Sequence, residues 1–286
     1  MLATAWQAIA DPWQEPILRR AFAEVVLVGV AGGMLGCWVL FYNLSYSAES
    51  LAHSLLPGLV IAALSGVPLI IGGAVGMLVA ALCIAVAARV PAIGRDTSVA
   101  VVVTTLLGLG VLLALSPDTP AGLQGLLFGD VLGVTDGDLL VSGMVLVAVV
   151  VALAVLNARL ALVGLDRSGA PALGVSPAAV DGAVLVLLAL VLVAAVQGLG
   201  NLLVVALLIA PPATARLVAG RIPVMLAVAA AIAVGGGIAG LYLSYYAKIA
   251  SGASIAAVLV AAYVLAGLLA WGTNQRPTRS LAEGTS

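Results

Sequence analysis

Glu49 and His53 stand four residues apart in the run Ala48-Glu-Ser-Leu-Ala-His-Ser-Leu-Leu-Pro-Gly58, and His53 is the single histidine of the chain. Residues at i and i+4 share one helix face, so a carboxylate and an imidazole at this spacing form a ready ligand pair for a divalent cation. The run lies at the mouth of a long apolar segment. An ionisable side chain at the centre of a bilayer costs ~2.5 to 3.5 kcal/mol even on the milder scales, which makes two at one spot a candidate site. The bland alternative is a helix-end pair resting at the lipid headgroups.

The elements that must position this pair are membrane spans. Of 286 residues 64% are hydrophobic and 8% charged, against about 25% charged in a soluble domain. The expected class is therefore all-α, a polytopic transmembrane bundle. A span needs about 20 apolar residues, and nine runs qualify: 21–42, 51–67, 69–89, 97–116, 138–158, 179–197, 199–217, 223–246 and 253–272. Ser65-Gly-Val-Pro68 and Gln197-Gly-Leu-Gly200 are the weakest divisions, so eight to ten spans bracket the count. Cytoplasmic loops carry the excess of Lys and Arg. With the N-terminus outside and the C-terminus inside, Arg89, Arg95, Arg159, Arg167, Arg216, Arg221, Arg276 and Arg279 fall inside, and only Arg19, Arg20 and Lys248 outside. On that map Glu49 and His53 lie towards the inner end of the second span. Residues 1–20, with Trp6 and Trp13, read as an interfacial segment. Residues 21–272 form one transmembrane domain, and 273–286 a short cytoplasmic tail.

Several functions are excluded or disfavoured. A net charge of −1 offers no basic stripe to a nucleic acid. The single lysine, Lys248, sits in no Gly-rich phosphate loop, so ATP is not bound by this chain. Without a second histidine, a Cys-x-x-Cys or a serine beside a base, an enzyme is not expected. Cys37 and Cys83 read as small buried hydrophobes. A proton- or sodium-coupled secondary transporter should carry charges near the midplane of several spans, yet Glu24 and Asp181 lie near span ends.

Other residues have two readings each. The loop Asp166-Arg-Ser-Gly-Ala-Pro-Ala-Leu-Gly-Val-Ser-Pro177 suits a short surface helix stopped by Gly174, or an ordinary polar loop. Asp130, after Phe128-Gly129, is either a cation guide in an outer loop or a solvated turn carboxylate. Asp96, followed by Thr97, reads first as a helix N-cap. Pro211-Pro212 inside an apolar run should kink or end its helix.

Taken in order, these stretches resemble the permease subunits of ABC importers for zinc and manganese, the ABC-3 type. Residues 48–58 are similar to that family's Gly-Asp-x-Leu-Ser-His-Ala-x-Leu-Pro-Gly segment. Arg95-Asp-Thr-Ser-Val-Ala100 resembles its Glu-Asp-Thr-Ala-Ile-Gly opening of a span, and Leu127-Phe-Gly-Asp-Val-Leu132 its Leu-Phe-Gly-Asp-Leu-Leu signature. Gly200 to Arg216 is similar to its long apolar run ending in Pro-Ala-Ala-Thr-Ala, and Gly240-Leu-Tyr-Leu-Ser-Tyr-Tyr246 also recurs there. The resemblance implies a type II-like importer permease in a bacterial or archaeal plasma membrane. It further implies a homodimer or paired permease with a manganese or zinc path at its axis, no permanently bound cofactor, and Glu49 and His53 as metal ligands. Partners implied are membrane lipid, an extracytoplasmic metal-binding protein, and cytoplasmic ABC ATPase subunits that hydrolyse ATP and dock near 166–176 through Asp166, Ala170, Leu173 and Gly174. A related permease for an iron chelate or cobalamin shares that engine but needs no such ligand pair. Two departures stand out: Phe41-Tyr-Asn-Leu44 replaces the family's frequent Arg-Arg pair, and Glu49 replaces Asp, lengthening the ligand arm by one methylene.

Overall fold

The first apolar run folds as α1 (Pro16–Phe41), opened by a proline whose missing N–H costs nothing in a first turn. The computed structural model describes residues 11, 13–87, 95–116 and 131–274, and among them every regular element is helical. After α1 come α2 (Ser45–Ser54), α3 (Leu56–Ser65), α4 (Leu69–Ala87) and α5 (Arg95–Ala114). A 3-10 turn at Val131–Gly133 leads into α6 (Asp136–Leu165), and a second at Ala170–Leu173 into α7 (Pro177–Leu199). The chain closes with α8 (Asn201–Val218), α9 (Ile222–Ala247) and α10 (Ser251–Asn274). Seven described helical stretches are long and apolar enough to cross a bilayer, with α2 and α3 together forming one of them; shorter apolar stretches lie on α4 and α8.

Both weak divisions in the sequence are turns. Gly66 takes a left-handed conformation after α3, and Gly200, with φ 75°, separates α7 from α8. Two boundaries differ from expectation. Helix α1 starts at Pro16 rather than near residue 21, and Trp13, just before it, stacks on Phe22 at 4.5 Å while its indole N–H donates to the Tyr242 hydroxyl at 2.7 Å. The second apolar run is divided at Leu55, because Pro57 has no N–H to give the His53 carbonyl four residues back.

Helix α1 is the hub of the larger group, packing on α6, α7, α8 and α9, while α10 packs on α8 and α9. Helices α2 to α5 form a second group, joined to the first where α4 meets α7 and where α2 meets α8. Ion pairs and hydrogen bonds pin the helix ends. Arg20 of α1 forks onto Asp136 at 2.8 and 2.9 Å, Thr135 and Asp138 form a capping box at the start of α6, and the Tyr42 hydroxyl donates to the Leu160 carbonyl at 2.8 Å. Inside the group, the Ser142 hydroxyl of α6 donates to the buried Glu24 carboxyl of α1 at 2.7 Å.

The closest approach of backbones involves the paired prolines. Helix α8 continues through Pro211 and Pro212 instead of ending there. Neither proline can donate, so the carbonyls of Leu207 and Leu208 lose their usual partners. Those carbonyls face the glycines of α1. A Cβ on Gly36 would collide with the Leu208 carbonyl and lie 2.6 Å from Pro212 Cγ, and one on Gly32 would come 4.0 Å from the Leu207 carbonyl. On the next face, a Cβ on Gly33 would sit 3.0 Å from the Ala229 carbonyl of α9. Small residues allow such approaches, which give dispersion contact where no hydrophobic force acts between helices in lipid.

Gly36→Val should therefore force α1 and α8 apart and lower the thermal midpoint of the detergent-solubilised protein, with a cost on the order of 1 to 3 kcal/mol for overpacking. Gly182→Ala, at a position with no other atom within 4 Å of the new Cβ, should leave the midpoint unchanged or raise it.

Candidate metal site and docking loop

Helix α2 carries both candidate ligands, Glu49 in its second turn and His53 in its last. Its other face, with Ala48, Leu51, Ala52 and Ser54, is buried against the bundle. Glu49 is exposed, His53 half-buried, and Tyr46, three residues before Glu49, is also exposed. Positions 46, 49 and 53 follow the helical period, so the candidate pair lies on the less buried edge of α2. Among the described residues no group of three or more His, Cys, Asp or Glu comes together. Within one chain, Glu49 and His53 thus stand as a pair of candidate donors with no third His, Cys, Asp or Glu grouped with them among the described residues.

The Pro-Gly step after the pair sets the direction of the helix that follows. Pro57 starts α3, and Gly58 presses it onto α4: a Cβ there would collide with the Gly72 carbonyl and lie 2.8 Å from Gly76 Cα. On the other side, a Cβ on Gly110 of α5 would be 2.9 Å from Pro57 N. The packing role of these four glycines was not read from the sequence, although the Gly72-x-x-x-Gly76 spacing is a small-residue interface signal.

The loop after α6 is built rather than irregular. The Asp166 carboxylate accepts from the Gly169 amide at 2.8 Å, and from the Ser168 amide and hydroxyl at 3.1 and 2.8 Å. These donors, the Gly169 amide foremost, hold its carboxyl below the usual carboxylate range. Ala170 is buried, the 3-10 turn Ala170–Leu173 follows, and Gly174 ends it in a left-handed conformation with φ 76°. Its amide donates to the Pro171 carbonyl at 3.0 Å. Leu173 is 69% exposed. Arg167 forks onto Asp181 of α7, which fixes the loop to the bundle. That clamp escaped sequence reasoning because its partners are fourteen residues apart with a turn between them. Asp130, the candidate outer-loop guide, lies outside the described residues.

Among the described residues the chain is an all-helical bundle with seven stretches long and apolar enough to cross a bilayer, which defines a multi-pass membrane protein. Residues 14–270 match the family described as the ABC 3 transport family, and the chain belongs to it. It is 34% identical over 250 residues to the manganese transport system membrane protein MntC of Halalkalibacterium halodurans, covering 87% of this chain and 86% of that protein. It is 31% identical over 259 residues to a probable iron transport system membrane protein of Haemophilus influenzae, covering 90% and 95%. Among solved structures, PsaBC from Streptococcus pneumoniae in complex with Fab contains a similar chain, with a TM-score of 0.84, 27% identity, and coverage of 93% and 95%.

The depressed Asp166 carboxyl fixes the sign of the loop's pH response. Its contribution is complete above the ordinary Asp value of about 3.9 and is lost as pH falls through the lower folded value. Hydrogen exchange should show the Gly169 amide protected down to pH ~4 and released only below it, while Asp166→Ala should release it at every pH.

Proposed function

We propose that this chain is the membrane permease of an ATP-driven importer of a divalent metal, with manganese as its cargo. The observation that carries the reading is the pair on α2, where exposed Glu49 and half-buried His53 share one helix edge with no third His, Cys, Asp or Glu grouped with them among the described residues. A twofold axis against a second permease would bring two carboxylates and two imidazoles to one cation. Manganese accepts this mixed nitrogen and oxygen set, with waters completing its shell. A soft thiolate-seeking ion would find no sulfur there. The set is open enough to release what it binds, as a transport site must. The manganese name of the Halalkalibacterium relative supports the same cargo.

In this reading all nine apolar runs cross the membrane, with the N-terminus outside and the C-terminus inside. An extracytoplasmic binding protein delivers the ion, and Asp130 guides it inward. Cytoplasmic ATPase subunits hydrolyse ATP and move the permease through the 166–176 loop. Leu173 offers them an apolar knob, while Asp166, Ala170 and Gly174 hold the turn that presents it. Iron is the second reading, supported by the name of the Haemophilus relative.

Uptake in cells carrying this chain with its ATPase and binding-protein subunits tests the cargo and the site. His53→Ala should reduce manganese uptake by at least tenfold, while membrane insertion and ATPase assembly are unchanged. Glu49→Asp should retain uptake. Wild-type uptake by His53→Ala would remove the ligand assignment, and accumulation of zinc or iron in place of manganese would replace the cargo.

Leu173→Glu, at an exposed position, should abolish co-purification of the ATPase without loss of folded permease. Normal co-purification would remove the docking assignment.

A further inference from the structure

A cleft of about 390 Å³ opens between α1, α6, α8 and α9 at the end of the bundle where α1 and α6 finish. Trp38, Phe41, Leu165 and Met225 form its apolar walls, and Arg216 and Arg221 its basic rim. No acidic residue lines it. The Arg216 guanidinium lies 5.8 Å from the centre of the Phe41 ring, a placement that holds the cation without neutralising it. The ion pairs among the described residues are Arg20–Asp136 and Arg167–Asp181, so neither rim arginine is spent on a carboxylate. No side chain caps the first turn of α9, which begins beside Arg221. The cleft thus gathers donors and positive charge with no counter-group of its own.

Its flanks say what kind of anion it suits. Leu165 is 83% exposed, Val218 63% and Leu217 41%, so the basic rim adjoins a surface that requires an apolar neighbour. A free inorganic anion would leave those side chains uncovered. A phospholipid covers them with its acyl chains and presents a phosphodiester to the guanidiniums, whose planar forks match phosphate oxygens. We propose that this cleft is a binding site for the headgroup of an anionic phospholipid. Its location at the inner face rests on the orientation proposed above; the recognition chemistry does not depend on the metal site.

Native mass spectrometry of the full-length chain, purified in detergent and exposed to mixed micelles of phosphatidylglycerol or phosphatidylcholine, tests the site. The wild type should retain phosphatidylglycerol in preference to phosphatidylcholine. Arg216→Gln and Arg221→Gln should each weaken that preference by about fivefold, while Arg216→Lys keeps most of it. Lys248→Gln, at the far end of α9, should change nothing. The single variants' unchanged thermal midpoints in detergent would certify folding. Equal retention by the glutamine variants would overturn the proposal, as would an equal loss from Lys248→Gln. Stabilisation of the lipid-free protein by inorganic phosphate as large as that by phosphatidylglycerol would mark a simple anion site instead. Loss of ATPase co-purification from the glutamine variants with lipid retention intact would assign the cleft to a protein partner. His53→Ala should retain lipid normally, so failure of the metal reading and failure of this one are separate results.

Discussion

The backbone contact between α1 and α8 is the constraint on which the larger helix group is built. Water drives helices together in a soluble protein, but lipid tails are as apolar as leucine and supply no such force. Close approach must supply it instead, and α1 achieves this with glycines at the lines of contact. Two of them, Gly32 and Gly36, meet the stretch of α8 whose carbonyls the paired prolines have released, and Gly33 meets α9 one face further on. The prolines and the glycines are complementary. Pro211 and Pro212 free two acceptors, and the absence of Cβ atoms on α1 lets those acceptors be covered by another helix. Nearby, the Thr214 hydroxyl donates to the Ala210 carbonyl at 2.8 Å.

With α1 fixed in this way, α2 is left as a short helix at the junction of the two groups. Its buried edge meets α5, α8 and α4, while its open edge presents Glu49. The proline after the ligand pair ends α2, and Gly58 then seats α3 directly on α4. A cation site made from an i, i+4 pair on such a helix has its donors held by backbone rather than by a mobile loop, which is the arrangement that favours defined geometry. In the proposed reading two donors per chain leave the site incomplete, which suits a transporter because an ion held by a full shell would not leave.

The end of the bundle where α1 and α6 finish carries a second set of polar groups. The Asp166 turn, the Arg167–Asp181 clamp and the Arg216 and Arg221 rim lie on the loops that join α6 to α7 and α8 to α9. The first two stiffen the loop that displays Leu173, so a force applied there would reach α6 and α7 rather than dissipate in a flexible segment. The arginine rim lacks internal partners and faces outward for them. Both proposals, the protein contact at Leu173 and the lipid contact at the arginines, therefore fall at one end of the molecule.

Much of this was legible in the residues. The apolar runs predicted helices because only a helix satisfies its own backbone in lipid, and the i, i+4 spacing of Glu49 and His53 placed both on one face before any fold was known. Gly174 was readable as a helix stop because a left-handed turn favours a residue without Cβ. Family membership was likewise legible in five short motifs met in order. The tertiary structure alone decided what depends on distant partners. By local rules Pro211 and Pro212 should kink or end their helix; it continues through them, packed against the glycines of α1. Arg167 and Asp181 looked like a loop charge and a span-end acid until a turn folded them together. The outward direction of Glu49 was also undecided, since spacing gives a shared face but not which face the bundle covers. Local sequence fixes what each segment can bury, whereas the helices packed against it decide what is left exposed to act.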